Sequence, residues 1–350
     1  MQQNSRANAW IGGIVFLLIA VAGLFYVKWF PYYNRAFVAA ANHSIGSSIL
    51  MGTAASPPAP SWDAAMNYAL VYGRAIWQAM VLGLLLGSAI QALLPVEWVA
   101  KLLGKAGFGS IARGSLLAIP GMMCTCCAAP VVVGLRERQA SPGAAISFWL
   151  GNSVLNPATL VFIGFVLGWN WTALRFLLGV LLVFGLGYLA NRMVTPAEAA
   201  AADEQVAELV AREPQSGIFM RWLTILARMT VRLVPEYIVL VLLLGATRAW
   251  LFPYAGPEIG NTIWWIIALS IAGTLFVIPT AGEVPIVQAM LALGVGAGPA
   301  GALLMTLPPI SVPSLAIVSR SFRPRLLVAV TLMVVAFGIA GGLLAVGLTF

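Results

Sequence analysis

Long apolar segments follow one another along almost the whole chain, and short segments between them hold most of the charges. A helix that spans the hydrocarbon core of a membrane needs about 20 apolar residues. The pattern therefore predicts an all-α polytopic membrane protein. The apolar segments are Trp10–Phe30, Tyr72–Leu94, Arg113–Val133, Gly143–Gly168, Thr172–Ala190, Pro235–Phe252, Thr262–Val295, Pro299–Val318 and Leu326–Leu348.

Two of these segments carry helix-breaking residues in their interior. Arg113–Val133 contains Ile119-Pro120-Gly121, and Thr262–Val295 contains Ile278-Pro279 and Gly282. Proline removes a backbone donor, and the carbonyl that it frees is not tolerated facing lipid. We therefore expect each segment to form a re-entrant hairpin of two half-helices, with its broken backbone buried in protein or lining a wet cavity.

The two halves of the chain resemble each other. Leu84-Leu85-Leu86-Gly87 recurs as Leu242-Leu243-Leu244-Gly245, and Arg74 recurs as Arg232, each 158 residues later. Chance similarity between Leu- and Gly-rich helices is the alternative, but a constant spacing favours an internal repeat. The predicted units are an N-terminal transmembrane helix with an outer loop (1–71), a first repeat (72–192), a cytoplasmic linker (193–231) and a second, inverted repeat (232–350).

Charge then orients the chain. If both interrupted segments are re-entrant, each half crosses three times, and the total is seven full crossings plus two hairpins. With the linker in the cytoplasm, most of the 19 Lys and Arg residues lie inside, as the positive-inside rule requires. The five on the outer side are Lys28, Arg35, Arg74, Arg175 and Arg248. The N-terminus is predicted to be cytoplasmic and the C-terminus periplasmic, in a bacterial inner membrane.

Composition supports the membrane assignment. The chain is 61% hydrophobic and 9% charged, against about 25% charged residues in an ordinary soluble domain. Its net charge of +8 does not indicate nucleic-acid binding, because the charges lie between apolar segments and form no basic face. A cleaved signal peptide is the alternative for Trp10–Phe30, but the run Lys28-Trp29-Phe30-Pro31-Tyr32-Tyr33 is typical of a basic and aromatic interface belt.

All three cysteines of the chain lie in the first interrupted segment, at Cys124, Cys126 and Cys127 around Thr125. Adjacent cysteines are poorly placed to bridge each other, so they do not indicate a disulfide framework. Thiolates are soft ligands that select thiophilic ions, and the three cysteines are therefore candidates for substrate or metal binding. The alternative is that they are small buried hydrophobic residues.

Glu283 lies in the second interrupted segment. A carboxylate at membrane depth is a functional hypothesis by default; Glu283 is a candidate for carrying a coupling proton or pairing with a cationic substrate, and removing its charge is expected to leave folding intact. The alternative is a hydrated residue at a shallow hairpin tip. Asn152, Asn156 and Ser311 are candidates for lining the substrate cavity, although hydrogen bonds between helices explain them equally well.

The motifs are similar to those of a known family. The stretch from Cys124 to Arg136, with Ala281-Gly282-Glu283-Val284-Pro285 and the stretch from Leu307 to Leu315, resembles the paired motifs of predicted permeases of the YraQ/ArsP type. The resemblance covers the chain from Tyr72 onward. It implies a bacterial inner-membrane permease, and some relatives export trivalent organoarsenicals that their cysteines hold.

The function expected from these features is that of an inner-membrane permease, a secondary transporter. Its expected activity is ion-coupled efflux of a thiophilic small solute such as a trivalent organoarsenical or a soft metal ion. A channel or assembly subunit and a membrane thiol redox enzyme are the alternatives. No enzyme activity and no cofactor are expected. The expected partners are the solute and membrane lipid, and homo-oligomerisation stays open.

Overall fold

The computed structural model describes residues 2–50, 56–195, 204–208, 217–252 and 255–347, with the side chains of 2–9 outside the description. Over these residues the chain is helical and contains no strand. The principal helices are α1 (Gln2–Leu24), α2 (Phe30–Asn42), α3 (Trp62–Leu93), α4 (Val96–Val99), α5 (Phe108–Ala118), α6 (Thr125–Glu137), α7 (Pro142–Val154), α8 (Pro157–Val166), α9 (Trp169–Arg192), α10 (Ile218–Leu251), α11 (Ile263–Leu275), α12 (Glu283–Ala292), α13 (Ala297–Thr306), α14 (Val312–Val318) and α15 (Pro324–Gly347).

Six helical segments within the described residues are long and apolar enough to cross a membrane. They are Trp10–Asn42, Trp62–Leu93, Pro142–Val166, Trp169–Arg192, Ile218–Leu251 and Pro324–Gly347. Each coincides with a segment that the sequence predicts to cross. The seventh predicted crossing, Pro299–Val318, consists instead of two short helices, α13 and α14.

Within the apolar segments that the structure describes, helices are interrupted at four places, two more than the sequence analysis expects. The predicted breaks separate α5 from α6 and α11 from α12. The additional breaks separate α7 from α8 and α13 from α14, at Asn156-Pro157 and at Ser311-Val312-Pro313. In both, a proline stands in the first helical turn, where its missing N–H is harmless, and an Asn or Ser caps the helix.

The first membrane segment is longer than predicted. Trp10–Asn42 is helical throughout, with a π-helical stretch at Phe25–Trp29. Lys28 therefore lies in the middle of the segment and is buried, not in an interface belt at its end. The prediction of an interface position for Lys28 is wrong, because the helix continues for more than three turns beyond it.

Helices of the two halves pack in matching ways. In the first half α5, α7 and α9 contact one another, and in the second half α11, α13 and α15 do the same. Across the halves α3 packs against α10, α6 packs against α14, and α8 packs against α12. These contacts place the starts of α6 and α12 in the interior, between the halves.

The connection between the halves is described only in part. Residues 204–208 are helical, and most of the acidic residues of the predicted linker lie outside the described residues. Helix α10 begins at Ile218, inside the range 193–231 that the sequence analysis assigns to the linker.

Candidate functional site

A pair of thiols marks the start of α6. Cys124 is the N-cap residue of this helix, and Cys127 follows one turn later on the same face. Their sulfur atoms are 2.9 Å apart, and both side chains are buried. Gly83 and Gly87 let α3 pack closely against α6. A Cβ atom at Gly83 would collide with the backbone carbonyl of Cys127, and one at Gly87 would collide with that of Pro130. The sequence thus brings two soft donors together inside the protein.

Cys126 points to a different part of the interior. Its sulfur lies 3.4 Å from the hydroxyl of Ser311, at the start of α14. The hydroxyls of Tyr72 and Tyr237, which are 2.6 Å apart, also lie next to this thiol. Two of the predicted substrate-binding residues, Cys126 and Ser311, are therefore in contact. Cys126 is not part of the Cys124–Cys127 pair.

The remaining polar candidates surround the helix breaks. The side-chain oxygen of Asn156 accepts from the N–H groups of Ala158 and Thr159, at 3.1 and 3.3 Å, and so caps α8. Asn152 donates to the carbonyl of Phe148 at 2.8 Å. Two of their buried atoms, Asn152 Oδ1 and Asn156 Nδ2, have no hydrogen-bond partner. Buried polar atoms are rarely left unsatisfied, so these atoms are free to bind water or solute.

Thr125 has a supporting position. Its side chain is buried, and its carbonyl accepts a hydrogen bond of 3.0 Å from the indole of Trp149 on α7. This bond fixes the first turn of α6 against α7. Thr125 therefore holds the cysteine-bearing turn in place, and no contact in the structure turns its hydroxyl toward the thiol pair.

Glu283 lies in the interior and has a partner from the other half of the chain. Its Oε1 atom is 3.7 Å from Nη2 of Arg175, and both side chains are buried. Arg175 also donates to the carbonyls of Val154, Ser153 and Leu304. The second carboxylate oxygen of Glu283, Oε2, has no hydrogen-bond partner. The guanidinium thus compensates the buried charge while one oxygen stays available.

Cys124 and Glu283 both line a small cavity, which we call the inner cavity. It is lined in part by Cys124, Ser153, Thr159, Thr280 and Glu283. Its volume is about 10 Å³, the lower limit for a single water molecule. A solute larger than water therefore needs the surrounding helices to move before it binds there.

A much larger cavity of about 820 Å³ lies next to it, between α2, α3, α10 and the segment 45–50. We call it the outer vestibule. Pro279, Thr280 and Ala281 line both cavities and therefore separate them. Lys28 of the first membrane segment donates a hydrogen bond of 3.1 Å to the hydroxyl of Thr280. Ala281 has a positive φ of 64°, a conformation that few non-glycine residues adopt.

Two charged residues of the site are missed by the sequence analysis. Arg175 and Lys28 are placed there at the outer ends of helices, whereas both are buried and contact the second interrupted segment. Arg175 is separated from Glu283 by 108 positions in the chain, so nothing in local sequence indicates the pair. For Lys28 a signal exists, since the helical pattern continues without a break to Asn42.

Metal-binding groups are also sparse around the thiols. Among the residues that the structure describes, no group of three His, Cys, Asp or Glu side chains is placed to hold a metal ion. His43 is exposed, and its Nδ1 atom lies 2.7 Å from the carbonyl of Phe165. It is the C-cap residue of α2.

Comparisons with known proteins identify the family. A family described as predicted permease, ArsP_1, matches residues 61–346. The chain belongs to this predicted permease family. It is 47% identical over 348 residues, 98% of both chains, to the UPF0718 protein YraQ of Escherichia coli (strain K12). It is 38% identical over 88 residues to the UPF0718 protein MJ0584 of Methanocaldococcus jannaschii, covering 25% of this chain and 24% of that protein.

No solved structure matches the chain. Membership of the permease family agrees with the six described helical segments that are long and apolar enough to span a membrane, and indicates a multi-pass membrane transporter. The family match covers the thiol pair, Arg175 and Glu283, but begins after Lys28.

Proposed function

We propose that this permease is a secondary transporter whose central site binds a thiophilic small solute through Cys124 and Cys127. The observation that carries the proposal is that Cys124, whose sulfur lies against that of Cys127, lines the same cavity as Glu283. Thiols bind soft atoms such as trivalent arsenic or a soft metal ion. A trivalent organoarsenical, leaving the cell, is the solute that the family resemblance suggests.

The arrangement of helices supports a transport cycle. We infer that the halves are inverted repeats, since the contact of α6 with α14 corresponds to the contact of α12 with α8. Helices α5, α6, α11 and α12 have 11, 13, 13 and 10 residues, about 15 to 20 Å each, which is too short to span about 30 Å of hydrocarbon. Broken helices that meet near the membrane centre are typical of secondary transporters.

Glu283 is the proposed coupling group. It is buried between α8 and α12, contacts Arg175 from the first half and leaves Oε2 unpaired. A carboxylate in this position is able to exchange its proton when the cavity opens. Movement of the solute would then be linked to a proton gradient, with the protein cycling between states open to opposite faces of the membrane.

The thiol pair is tested by replacing cysteines in purified protein. The Cys124→Ser/Cys127→Ser variant is expected to lose at least tenfold in affinity for phenylarsenite, because serine offers a hard oxygen in place of a soft sulfur. Cys126→Ser is the matched control, since its thiol faces Ser311 and not the pair. Binding is measured by calorimetry, and transport is measured in proteoliposomes and by resistance of cells.

Folding of the variants is checked by chromatography and thermal unfolding, because an unpaired hydroxyl in an apolar site costs about 1–3 kcal/mol. Equal binding and transport by the parent and the double variant would show that the thiols only pack. An effect of Cys126→Ser as large as that of the double variant would place the solute elsewhere on α6.

A membrane thiol redox enzyme is the second candidate. Cys124 and Cys127 form a Cys-x-x-Cys pair at a helix N-terminus, which is the position of reactive thiols in dithiol oxidoreductases. The redox state of the two thiols during turnover distinguishes the two functions. A redox enzyme exchanges its thiols with a dithiol reagent in each turnover, whereas a permease moves solute with both thiols reduced throughout.

A further inference from the structure

We infer that the solute of this permease is a small anion that carries a soft atom, and that the outer vestibule binds it. This inference rests on the proposed function and adds the charge of the solute to it. The observation behind it is that three cationic side chains, Lys28, Arg35 and Arg248, line one cavity whose described lining contains no carboxylate.

None of these cations is neutralised by a neighbour. Among the described residues, no carboxylate forms an ion pair with any of the three. Arg35 donates to the carbonyl of Ile45, and Lys28 donates to the hydroxyls of Tyr32 and Thr280. These hydrogen-bond partners are neutral, so no carboxylate of the described residues compensates the positive charge of the vestibule.

Arg248 gives the clearest indication of a missing ligand. Its side chain is only 6% exposed, and its guanidinium lies 5.4 Å from the ring centre of Tyr68. Its Nε atom is buried and has no hydrogen-bond partner. A buried guanidinium without a counter-charge is unfavourable, and an anion in the vestibule, which Arg248 lines, would supply that counter-charge.

The position of Lys28 links the vestibule to the inner cavity. Its ammonium donates to Thr280, which belongs to the wall between the two cavities. An anion drawn to Lys28 is thus adjacent to the wall behind which Cys124 lies. Cations focus anions in a low-dielectric cleft, where local concentration rises by a factor of about 10 to 10³.

The two cavities together define the chemistry of the solute. The vestibule selects negative charge and works against a soft metal cation, whereas the thiol pair selects a soft atom. A small sulfur oxyanion with a terminal sulfur, such as thiosulfate, meets both conditions. Sulfate has the same charge without the soft atom, and it is therefore a suitable comparison.

The experiment measures uptake of thiosulfate, cadmium ion and phenylarsenite by proteoliposomes at low ionic strength. In the Arg35→Gln/Arg248→Gln variant, the KM for thiosulfate is expected to rise about tenfold, with the maximal rate changed less than about twofold. The Arg35→Lys/Arg248→Lys variant keeps both charges and should behave like the parent. Arg74→Gln is the matched control, because Arg74 is exposed on α3 and does not line the vestibule.

Arg35→Gln alone, at an exposed position, keeps the test valid if loss of Arg248 impairs folding; its KM should rise about threefold. A KM for thiosulfate that is unchanged in Arg35→Gln and in the double variant would overturn the anion inference. Transport of cadmium or phenylarsenite that these variants do not alter, but that Cys124→Ser/Cys127→Ser abolishes, would overturn it while leaving the proposed permease function intact.

A binding measurement covers the case in which no solute is transported. Thiosulfate and sulfate at equal ionic strength should raise the unfolding temperature of the parent more than chloride does, and the Arg35→Gln/Arg248→Gln variant should lose this difference. Equal unfolding temperatures in the three salts would overturn the anion inference. Loss of stabilisation by thiosulfate in the double cysteine variant, with sulfate unaffected, would locate the soft contact at the thiols.

Discussion

At the scale of single residues, the ion pair between Arg175 and Glu283 changes what a substitution is expected to do. Considered from the sequence, Glu283 is an isolated charge, and its removal is expected to leave folding intact. In the structure Arg175 lies 3.7 Å away with both side chains buried. Removing one member of a buried pair leaves the other charge uncompensated.

We therefore predict that Glu283→Gln lowers the free energy of unfolding by about 3 kcal/mol and abolishes the pH dependence of transport. Glu236→Gln is the control, since the Arg320–Glu236 pair is largely exposed and is worth less than about 1 kcal/mol. Denaturant titration in mixed micelles gives the comparison. Equal stability of the two variants would mean that Arg175 needs only its three carbonyl partners.

A double-mutant cycle isolates the pair. Arg175→Met combined with Glu283→Gln should be less destabilised than the sum of the two single changes, by about 1–3 kcal/mol. Additive effects would show that the two side chains do not interact. Transport with the pH dependence of the parent in Glu283→Gln would reject the coupling role, whatever the stability.

At the scale of helices, the approach of α6 to α3 positions the thiols. Gly83 faces the backbone carbonyl of Cys127, and a Cβ atom there would collide with it. Gly73, on the same helix, has open space around it. Close packing of α3 therefore requires glycine at position 83 but not at position 73.

Gly83→Ala is predicted to destabilise the protein by about 1–3 kcal/mol, because α6 has to move away from α3. Gly73→Ala should instead stabilise it by up to about 1 kcal/mol, since alanine is the better helix former. Thermal unfolding in detergent distinguishes them. Equal shifts of the unfolding temperature in both variants would argue against close packing of α3 and α6 at the site.

At the scale of the whole molecule, the topology in the membrane depends on whether each pair of broken helices crosses the membrane or returns to the face from which it enters. If α5–α6 and α11–α12 each return to the side where they begin, the loop before α3 and the turn before α15 lie on opposite faces. The proposed topology places Ser56 outside and Ser321 in the cytoplasm. Ser216, another cytoplasmic position in this topology, lies outside the described residues.

Labelling tests this arrangement. On a cysteine-free background, a cysteine at Ser56 should react with an impermeant maleimide in intact cells, and a cysteine at Ser321 should react only after the membrane is opened. The positive-inside rule supports this orientation through Arg320, Arg323 and Arg325. Labelling of both positions from the same side would contradict the paired hairpins.

The sequence by itself determined that the protein lies in a lipid membrane and which residues interrupt its helices. Few charges and long apolar segments require lipid, and Pro120 and Pro279 favour helix breaks because proline in a helix interior removes a backbone hydrogen bond. The family motif around Cys124 also lies in local sequence, and family membership is confirmed. These features depend on neighbours along the chain, which a pattern of residues records.

Only the tertiary structure decided which interrupted segments meet and which charges share an interior. The pairing of Arg175 with Glu283, the contact of Lys28 with Thr280 and the contact of Cys126 with Ser311 all depend on packing between distant helices. The additional helix breaks at Asn156 and Ser311 also depend on tertiary packing. Proline with a cap residue permits a break, but burial of the freed backbone groups against neighbouring helices is what makes it stable.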